Sequence, residues 1–169
     1  MKKIAIIMGS ASDLPVAEEA VKALSEFAVP YEVMVCSAHR TPEDLRTFAA
    51  GAREAGFGAL ICIAGLAAHL AGAAAALTTL PVVGVPAASG SLQGLDALLS
   101  TAQMPPGIPV ATVAIGAGRN AALLCVQMLA IEDASLAMQL ASARERMASG
   151  IRDKNREVAS ALNQKEVQG

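Results

Sequence analysis

The chain has 169 residues, of which 54% are hydrophobic and 17% charged, and its formal net charge is -2 at pH 7. This length favours a single domain, and the near-neutral charge excludes the basic surface with which proteins bind nucleic acid. The three cysteines are far apart and form no CxxC motif, so we expect buried free thiols in a reducing compartment, the cytoplasm, rather than disulfides or a zinc site. The apolar run at the amino terminus is too short for the core of a signal peptide.

The first third of the chain predicts two strand–helix units. Residues 3–8, KIAIIM, are an apolar run that ends in a Gly-Ser pair, which is typical of a fully buried strand. Residues 14–28 then carry apolar side chains at a helical period, and Asp13 suits the N-cap position. Residues 31–37, YEVMVCS, alternate like a second strand, and the Thr-Pro pair that follows predicts a helix over 42–55 with the threonine as its cap.

The rest of the α/β pattern repeats three times. Residues 59–64, 81–86 and 109–115 are apolar runs, each followed by a turn and a helical segment, and the last of these helices is expected to end near Ile131. Five strands that alternate with helices predict an α/β fold with a parallel sheet and right-handed crossovers. The expected architecture is a flavodoxin-like three-layer sandwich whose five strands lie in the order 2-1-3-4-5.

Charged residues are concentrated at the end of the chain. Residues 55–131 contain two charged side chains, whereas residues 143–169 contain ten. We therefore expect one domain over 1–169, made of an α/β core over 1–131 and a C-terminal helical extension over 132–169. The extension is either a solvated helix or an arm that packs on a neighbouring subunit.

One apolar stretch, residues 58–77, has the length of a bilayer span. It consists mostly of alanine and glycine, and it changes from a strand-like half to a helix-like half. A buried strand, turn and helix of a parallel sheet explains this composition better than a membrane helix does. We therefore expect no contact with a membrane.

Polar side chains follow each predicted strand at its carboxyl end. In chain order they are Ser10, Ser12, Asp13, Ser37, His39, Arg40, His69, Ser89, Ser91, Asp96, Arg119 and Asn120. Because the carboxyl ends of parallel strands share one edge of a sheet, we expect these residues to converge there, near the switch point of the strand order.

The turn GSASD, residues 9–13, presents hydroxyl and backbone N–H groups at a helix start, which suits either a simple capping turn or an anion site. Arg40 adds a fixed cation and favours a phosphate, while Asp13 suits ribose hydroxyls better than an anion. His39 is the candidate general acid and base, because histidine titrates near neutral pH.

The residues favour no cofactor and no metal. GAGRNA, residues 116–121, matches a dinucleotide-binding pattern, but it follows the last strand and no acidic ribose-binding residue comes after it on a further strand. The chain has no tryptophan and one tyrosine to stack on a flavin. No cluster of metal ligands is evident.

Several motifs resemble the N5-carboxyaminoimidazole ribonucleotide mutase family of purine biosynthesis. They are GSASDLP, SAHRTP, AGLAAHLAG, QMPPGIPVATVAIG and NAALL, and the resemblance covers about residues 4–130. It implies a cofactor-free isomerase that moves a carboxylate from the exocyclic nitrogen of an imidazole ribonucleotide to ring carbon C4. The implied route is loss of carbon dioxide in a closed pocket, its recapture by C4, and proton transfer by a histidine.

The resemblance also assigns site residues and an assembly. His39 matches the proton-carrying histidine. The expected substrate-binding residues are Ser10, Ser12, Asp13, Ser37, Arg40, Ala64, Gly65, Ala67, His69 and Leu70. The family forms homo-octamers with active sites near subunit boundaries, which implies that the C-terminal helix reaches a neighbour.

Three features depart from the family pattern. Leu66 replaces a glycine and Ala71 a proline, so the side chain at 66 either narrows the pocket or requires a changed backbone. The loop over 116–120 is shortened, as in the related carboxylases that use free carbon dioxide, although the SAHK and AGRSN motifs of those enzymes are absent. The mutase is favoured. A direct aminoimidazole ribonucleotide carboxylase, a diverged nucleotide carboxylase and a non-catalytic nucleotide-binding module stay open as alternatives.

Overall fold

The computed structural model describes residues 1–166 as a parallel sheet with helices around it and a long final helix. The strands are β1 (Lys3–Met8), β2 (Tyr31–Val35), β3 (Phe57–Ala64), β4 (Val82–Pro86) and β5 (Ala111–Thr112). The helices are α1 (Leu14–Glu26), α2 (Pro42–Gly51), α3 (Leu70–Ala75), α4 (Leu95–Ala102), α5 (Gly118–Leu129) and α6 (Ala134–Glu166).

All five strands are parallel, in the order β2-β1-β3-β4-β5. The register places Ile6 of β1 beside Val33 of β2 on one side and Ile61 of β3 on the other. The predicted fold class and strand order are therefore confirmed. The order reverses between β1 and β3, which makes a crevice at their carboxyl ends, where α/β proteins bind ligands.

Burial of both faces explains why β1 is a continuous apolar run. Ile4, Ile6 and Ile7 are 0% exposed, and each such side chain stabilises the fold by roughly 2 kcal/mol. The helices α2 and α3 pack on one face of the sheet, against Ala5 and Ile7. On the other face α1 packs against α5.

Residues 58–77 form the expected strand, turn and helix, as most of β3, a turn and α3. Among the described residues, we find no helix with the length and apolar character needed to cross a bilayer. The three cysteines are free and buried, as predicted. Burial raises the pKa of the Cys62 thiol, and it raises that of Cys125 to about 12.

Asp13 and Thr41 occupy the predicted N-cap positions of α1 and α2, but neither side chain caps its helix, because both side chains bind the preceding loop instead. Asp13 Oδ2 accepts a hydrogen bond from the Ser10 N–H at 3.1 Å, and the Ser10 side chain caps a short 3-10 turn over Ala11–Asp13. Thr41 Oγ1 accepts from the Ser37 N–H at 3.0 Å and donates to the Ser37 carbonyl at 3.2 Å. Both loops at the sheet edge are thus held by their own side chains.

Some predicted elements are shorter than expected. The helix predicted over 42–55 ends at Gly51. The strand predicted over 109–115 is reduced to β5, Ala111–Thr112. Proline at 109 has no N–H to donate to a sheet ladder. After β5, hydrogen bonds outside the regular ladder still join the chain to β4, such as the one that the Gly116 N–H donates to the Pro86 carbonyl at 2.8 Å.

The chain divides into two compact units, Met1–Leu129 and Ala130–Gly169. The second consists mainly of α6, the predicted helical extension, of which residues 167–169 lie outside the described part. Asp133 caps α6, because its Oδ1 accepts from the N–H groups of Ser135 at 3.0 Å and Leu136 at 3.1 Å. Exposed apolar side chains recur along the helix, at Met138, Met147, Ile151, Val158 and Leu162.

Candidate active site

A hollow of about 520 Å³ opens at the carboxyl ends of β1, β2 and β3. It is lined by all eleven residues that the sequence suggested for the site: Ser10, Ser12, Asp13, Ser37, His39, Arg40, Ala64, Gly65, Ala67, His69 and Leu70. The histidine loop after β2 and the hydroxyl-rich turn after β1 therefore border one space, as the convergence of strand ends predicts.

The turn after β1 presents a compact set of hydroxyls around a buried carboxylate. Ser10 Oγ accepts from the Ser12 N–H at 3.3 Å and from Ser12 Oγ at 2.9 Å. Asp13 is 7% exposed. Burial raises the pKa of Asp13, and the hydrogen bond from the Ser10 N–H partly offsets that rise. A carboxylate deprived of water gains from a ligand that brings hydroxyl donors.

Arg40 joins the loops after β1 and β2. Its Nη2 donates to the Gly9 carbonyl at 3.0 Å, and its Nε donates to Ser37 Oγ at 3.3 Å. None of the ion pairs found among the side chains of residues 1–162 involves Arg40. The guanidinium is positioned by neutral acceptors, so its charge at the hollow is not cancelled by a carboxylate, which suits an anionic ligand.

The two histidines of the chain meet at the hollow. His39 Nε2 and His69 Nδ1 are 2.8 Å apart, and the rings stand edge to face at 85°. One of these two nitrogens must donate the hydrogen and the other must accept it through its lone pair. The hydrogen bond uses one nitrogen of each ring, so His69 can hold the ring of His39 in a fixed orientation.

The loop after β3 forms an apolar wall with a strained residue. Leu66 has φ +55° and is 54% exposed, so a leucine occupies a left-handed backbone conformation that favours glycine. The sequence left open whether Leu66 narrows the pocket or changes the backbone. The backbone of Leu66 has the conformation that glycine prefers, and its side chain lines the hollow. Ala71, the other departure, is buried in α3.

Several polar residues that follow β4 and β5 do not line the hollow. Asp96 Oδ1 accepts the Ala97 N–H within α4. Arg119 forms a two-point ion pair with Glu26 of α1, with N–O distances of 2.7 and 2.8 Å. The expectation that all the polar residues at strand ends converge on one space was therefore too broad. It holds for the polar residues after β1, β2 and β3 and for Ser89 after β4.

Four residues line the hollow in addition to the eleven named above, namely Gly9, Ala38, Leu66, which was expected to affect the pocket, and Ser89, which was expected only to lie at this edge of the sheet. Gly9 and Ala38 lie inside the motifs already singled out, so the motifs themselves were the available signal. Ser89 follows β4, the same edge of the sheet, and its position after a strand was its only signal.

A larger hollow, of about 900 Å³, lies at the opposite end of β4, beside the loop over 107–109. It contains none of the predicted site residues. Among the side chains that the structure describes, those of residues 1–162, no three His, Cys, Asp or Glu residues are grouped as metal ligands would be.

Comparison with known proteins agrees with this picture. The model of the family described as AIR carboxylase matches residues 3–150. The N5-carboxyaminoimidazole ribonucleotide mutase of Pyrococcus abyssi is 55% identical over 87% of this chain and 84% of its own. That of Mycobacterium tuberculosis is 49% identical over 92% and 90%. The crystal structure of Treponema denticola PurE is similar with a TM-score of 0.81 at 31% identity, over 89% of this chain and 94% of that chain.

Proposed function

Because the chain belongs to the AIR carboxylase family, we propose that it is an isomerase of purine biosynthesis, an N5-carboxyaminoimidazole ribonucleotide mutase. The product is 4-carboxy-5-aminoimidazole ribonucleotide. One observation carries the proposal: His39 and the turn over 10–13 border a single hollow, in a chain whose relatives of 49–55% identity bear this name.

The nucleotide end of the substrate is held by the loops after β1 and β2. Arg40 and the hydroxyls of Ser10 and Ser12 bind the phosphate, because they combine a fixed charge with short polar side chains at a helix start. Asp13 accepts hydrogen bonds from the ribose hydroxyls. Ser37 keeps the guanidinium in place through its hydroxyl, which accepts from Arg40 Nε at 3.3 Å and from the Arg40 N–H at 3.2 Å.

The reaction is a carboxylate transfer in two halves. In the first, the bond between the exocyclic nitrogen and the carboxylate carbon breaks, carbon dioxide leaves, and the nitrogen takes a proton from His39. In the second, C4 attacks the trapped carbon dioxide, and His39 removes the proton from C4 to restore the aromatic ring. The same histidine therefore gives and regains one proton, and the hydrogen bond to His69 holds its ring for both steps.

Confinement supplies the rest of the catalysis. Carbon dioxide has no charge or strong donor by which a protein can bind it tightly, so the enzyme must keep it close and exclude water. The wall after β3 suits this task, since Ala64, Gly65, Ala67 and Leu70 bring small or apolar groups to the hollow.

The proposal extends to assembly and location. A homo-octamer in the cytoplasm fits the exposed apolar side chains of α4, Leu95 and Leu99, which a subunit contact would cover. The buried free thiols fit a reducing compartment.

Substrate supply separates a mutase from a direct carboxylase. Purified protein is given N5-carboxyaminoimidazole ribonucleotide without bicarbonate, or aminoimidazole ribonucleotide with bicarbonate, and product is followed by its absorbance. A mutase converts the first substrate at a rate that added bicarbonate does not raise. Turnover confined to the second mixture identifies a direct carboxylase, and binding without turnover of either identifies a nucleotide-binding module.

The role of His39 has its own test. His39→Asn should bind the substrate with an affinity close to that of the parent and lose turnover by about 100-fold or more, because an amide cannot carry the proton. Ser91→Ala, an exposed position after β4, is the control and should keep full activity. Unchanged turnover in His39→Asn would show that the proton is carried by another group.

A further inference from the structure

Ser89 is the residue of the hollow that the fold leaves unexplained. Among the described residues, its Oγ is the one buried side-chain nitrogen or oxygen atom without a hydrogen-bond partner. Nearly all buried polar groups in folded proteins are paired, because an unpaired one loses its bonds to water and gains none in exchange. A hydroxyl kept in this state at the wall of a ligand site points to a partner that arrives with the ligand.

The surroundings of Ser89 define where that partner sits. The Ser89 hydroxyl packs closely against the backbone of Gly65 in the loop after β3, because a Cβ added at Gly65 would lie only 2.2 Å from Ser89 Oγ. Leu66, in turn, packs against the loop after β4 that carries Ser89, because a Cβ added at Gly90 would lie 2.7 Å from Leu66 Cδ2. The hydroxyl therefore belongs to the apolar end of the hollow, where hydrogen bonds are strengthened by the low dielectric.

The strand order places Ser89 and the phosphate-binding Arg40 at different ends of the hollow. The Arg40 guanidinium lies at the end of β1, where it bonds the Gly9 carbonyl, whereas Ser89 follows β4, and two strand spacings lie between β1 and β4 in the sheet. At about 4.8 Å per spacing the two are roughly 10 Å apart across the sheet edge. A ribonucleotide anchored by its phosphate at Arg40 thus has its base, and the carboxylate on that base, directed toward β3 and β4.

We propose that Ser89 binds the carboxylate that the enzyme transfers: its hydroxyl turns about the Cα–Cβ bond and donates a hydrogen bond to a carboxylate oxygen of the bound nucleotide. This inference rests on the proposed function, which places a carboxylated imidazole in the hollow. No hydrogen bond has to be broken for the turn. Ser89 is a binding residue that favours the carboxylated nucleotide over the one without the carboxylate, and it helps to retain carbon dioxide between the two halves of the reaction.

The test compares two nucleotides on two variants. Affinities for 4-carboxy-5-aminoimidazole ribonucleotide and for 5-aminoimidazole ribonucleotide are measured by calorimetry with the parent, Ser89→Ala and Ser91→Ala. Ser89→Ala should weaken binding of the carboxylated nucleotide by about 10-fold, as expected for a hydrogen bond to a charged group, and leave the affinity for the other nucleotide unchanged. Ser91→Ala should alter neither. An equal loss for both nucleotides, or no loss for either, overturns the proposal.

Two further readouts separate binding from a structural role. The melting temperature of ligand-free Ser89→Ala should equal or exceed that of the parent, because the substitution removes an unpaired buried hydroxyl, and a lower melting temperature would assign Ser89 a structural role instead. In turnover, Ser89→Ala should release a larger fraction of aminoimidazole ribonucleotide per product formed, and an unchanged fraction would refute the retention of carbon dioxide. A parent without mutase turnover would overturn the proposed function, while the binding comparison would still decide the role of Ser89.

Discussion

The backbone of Leu66 allows a quantitative test, because a leucine stands where the conformation favours glycine. Its φ is +55°, and its side chain is 54% exposed. Two substitutions divide the effect into its parts. Leu66→Ala removes the side chain beyond Cβ and keeps the strain, whereas Leu66→Gly removes both.

The magnitudes follow from three contributions. Full burial of a leucine stabilises a fold by about 1.5–3 kcal/mol, so a half-exposed one is worth about 1 kcal/mol, which both variants lose. The left-handed conformation costs a residue with a Cβ about 1–2 kcal/mol, and glycine costs about 0.5–1 kcal/mol more chain entropy than alanine. We therefore expect Leu66→Ala to be about 1 kcal/mol less stable than the parent, and Leu66→Gly to be more stable than Leu66→Ala by about 0.5–1 kcal/mol.

Equilibrium unfolding in urea measures both differences, and two alanine positions calibrate the backbone effect. Ala28 is exposed and has φ +52°, so Ala28→Gly should also stabilise. Ala50 is exposed within helix α2, so Ala50→Gly should destabilise by about 1 kcal/mol. If Leu66→Gly is no more stable than Leu66→Ala while the two calibration variants behave as expected, the backbone strain assigned to this position does not exist.

Three other predictions concern packing, pH and thiol reactivity. A Cβ at Gly118 would lie 2.0 Å from a backbone carbonyl oxygen of α1, so Gly118→Ala should destabilise the protein by about 3 kcal/mol. Gly51 has open space around it, so the control Gly51→Ala should stabilise the protein by up to about 1 kcal/mol. Equal melting temperatures of the two variants would contradict the close packing of α1 and α5. Burial raises the pKa of Asp13 above 3.8, so its contribution to stability is complete below that pH and is lost as pH rises through the folded-state pKa. In urea titrations at several pH values, the stability of Asp13→Asn relative to the parent should therefore rise from acid toward neutral pH, and a difference that is constant or falls would be inconsistent with this assignment. Burial also raises the pKa of the Cys62 and Cys125 thiols. A thiol reagent near neutral pH should therefore label them only after the protein unfolds, which mass spectrometry measures. Rapid labelling of the native protein would contradict their burial.

Local patterns in the sequence were sufficient for the sheet and for most of the site. Apolar runs of strand length, separated by helical periods, leave few topologies once crossovers must be right-handed, and the parallel order with β1 in the interior followed. The motifs after β1, β2 and β3 lie at carboxyl strand ends, and parallel strands present those ends on one edge. The polar residues at those ends, and the apolar ones that the family resemblance implied, therefore line one hollow.

Contacts between distant segments were beyond such local patterns. The hydrogen bond between His39 and His69 joins residues 30 positions apart, and its existence depends on how far two loops lean toward each other. The hydroxyl of Ser89 is unpaired and lies close to Gly65, a residue 24 positions earlier in the chain. Periodicity and propensity describe one segment at a time, whereas hydrogen-bond partners and backbone strain depend on which groups the packed sheet brings within a few ångströms of each other.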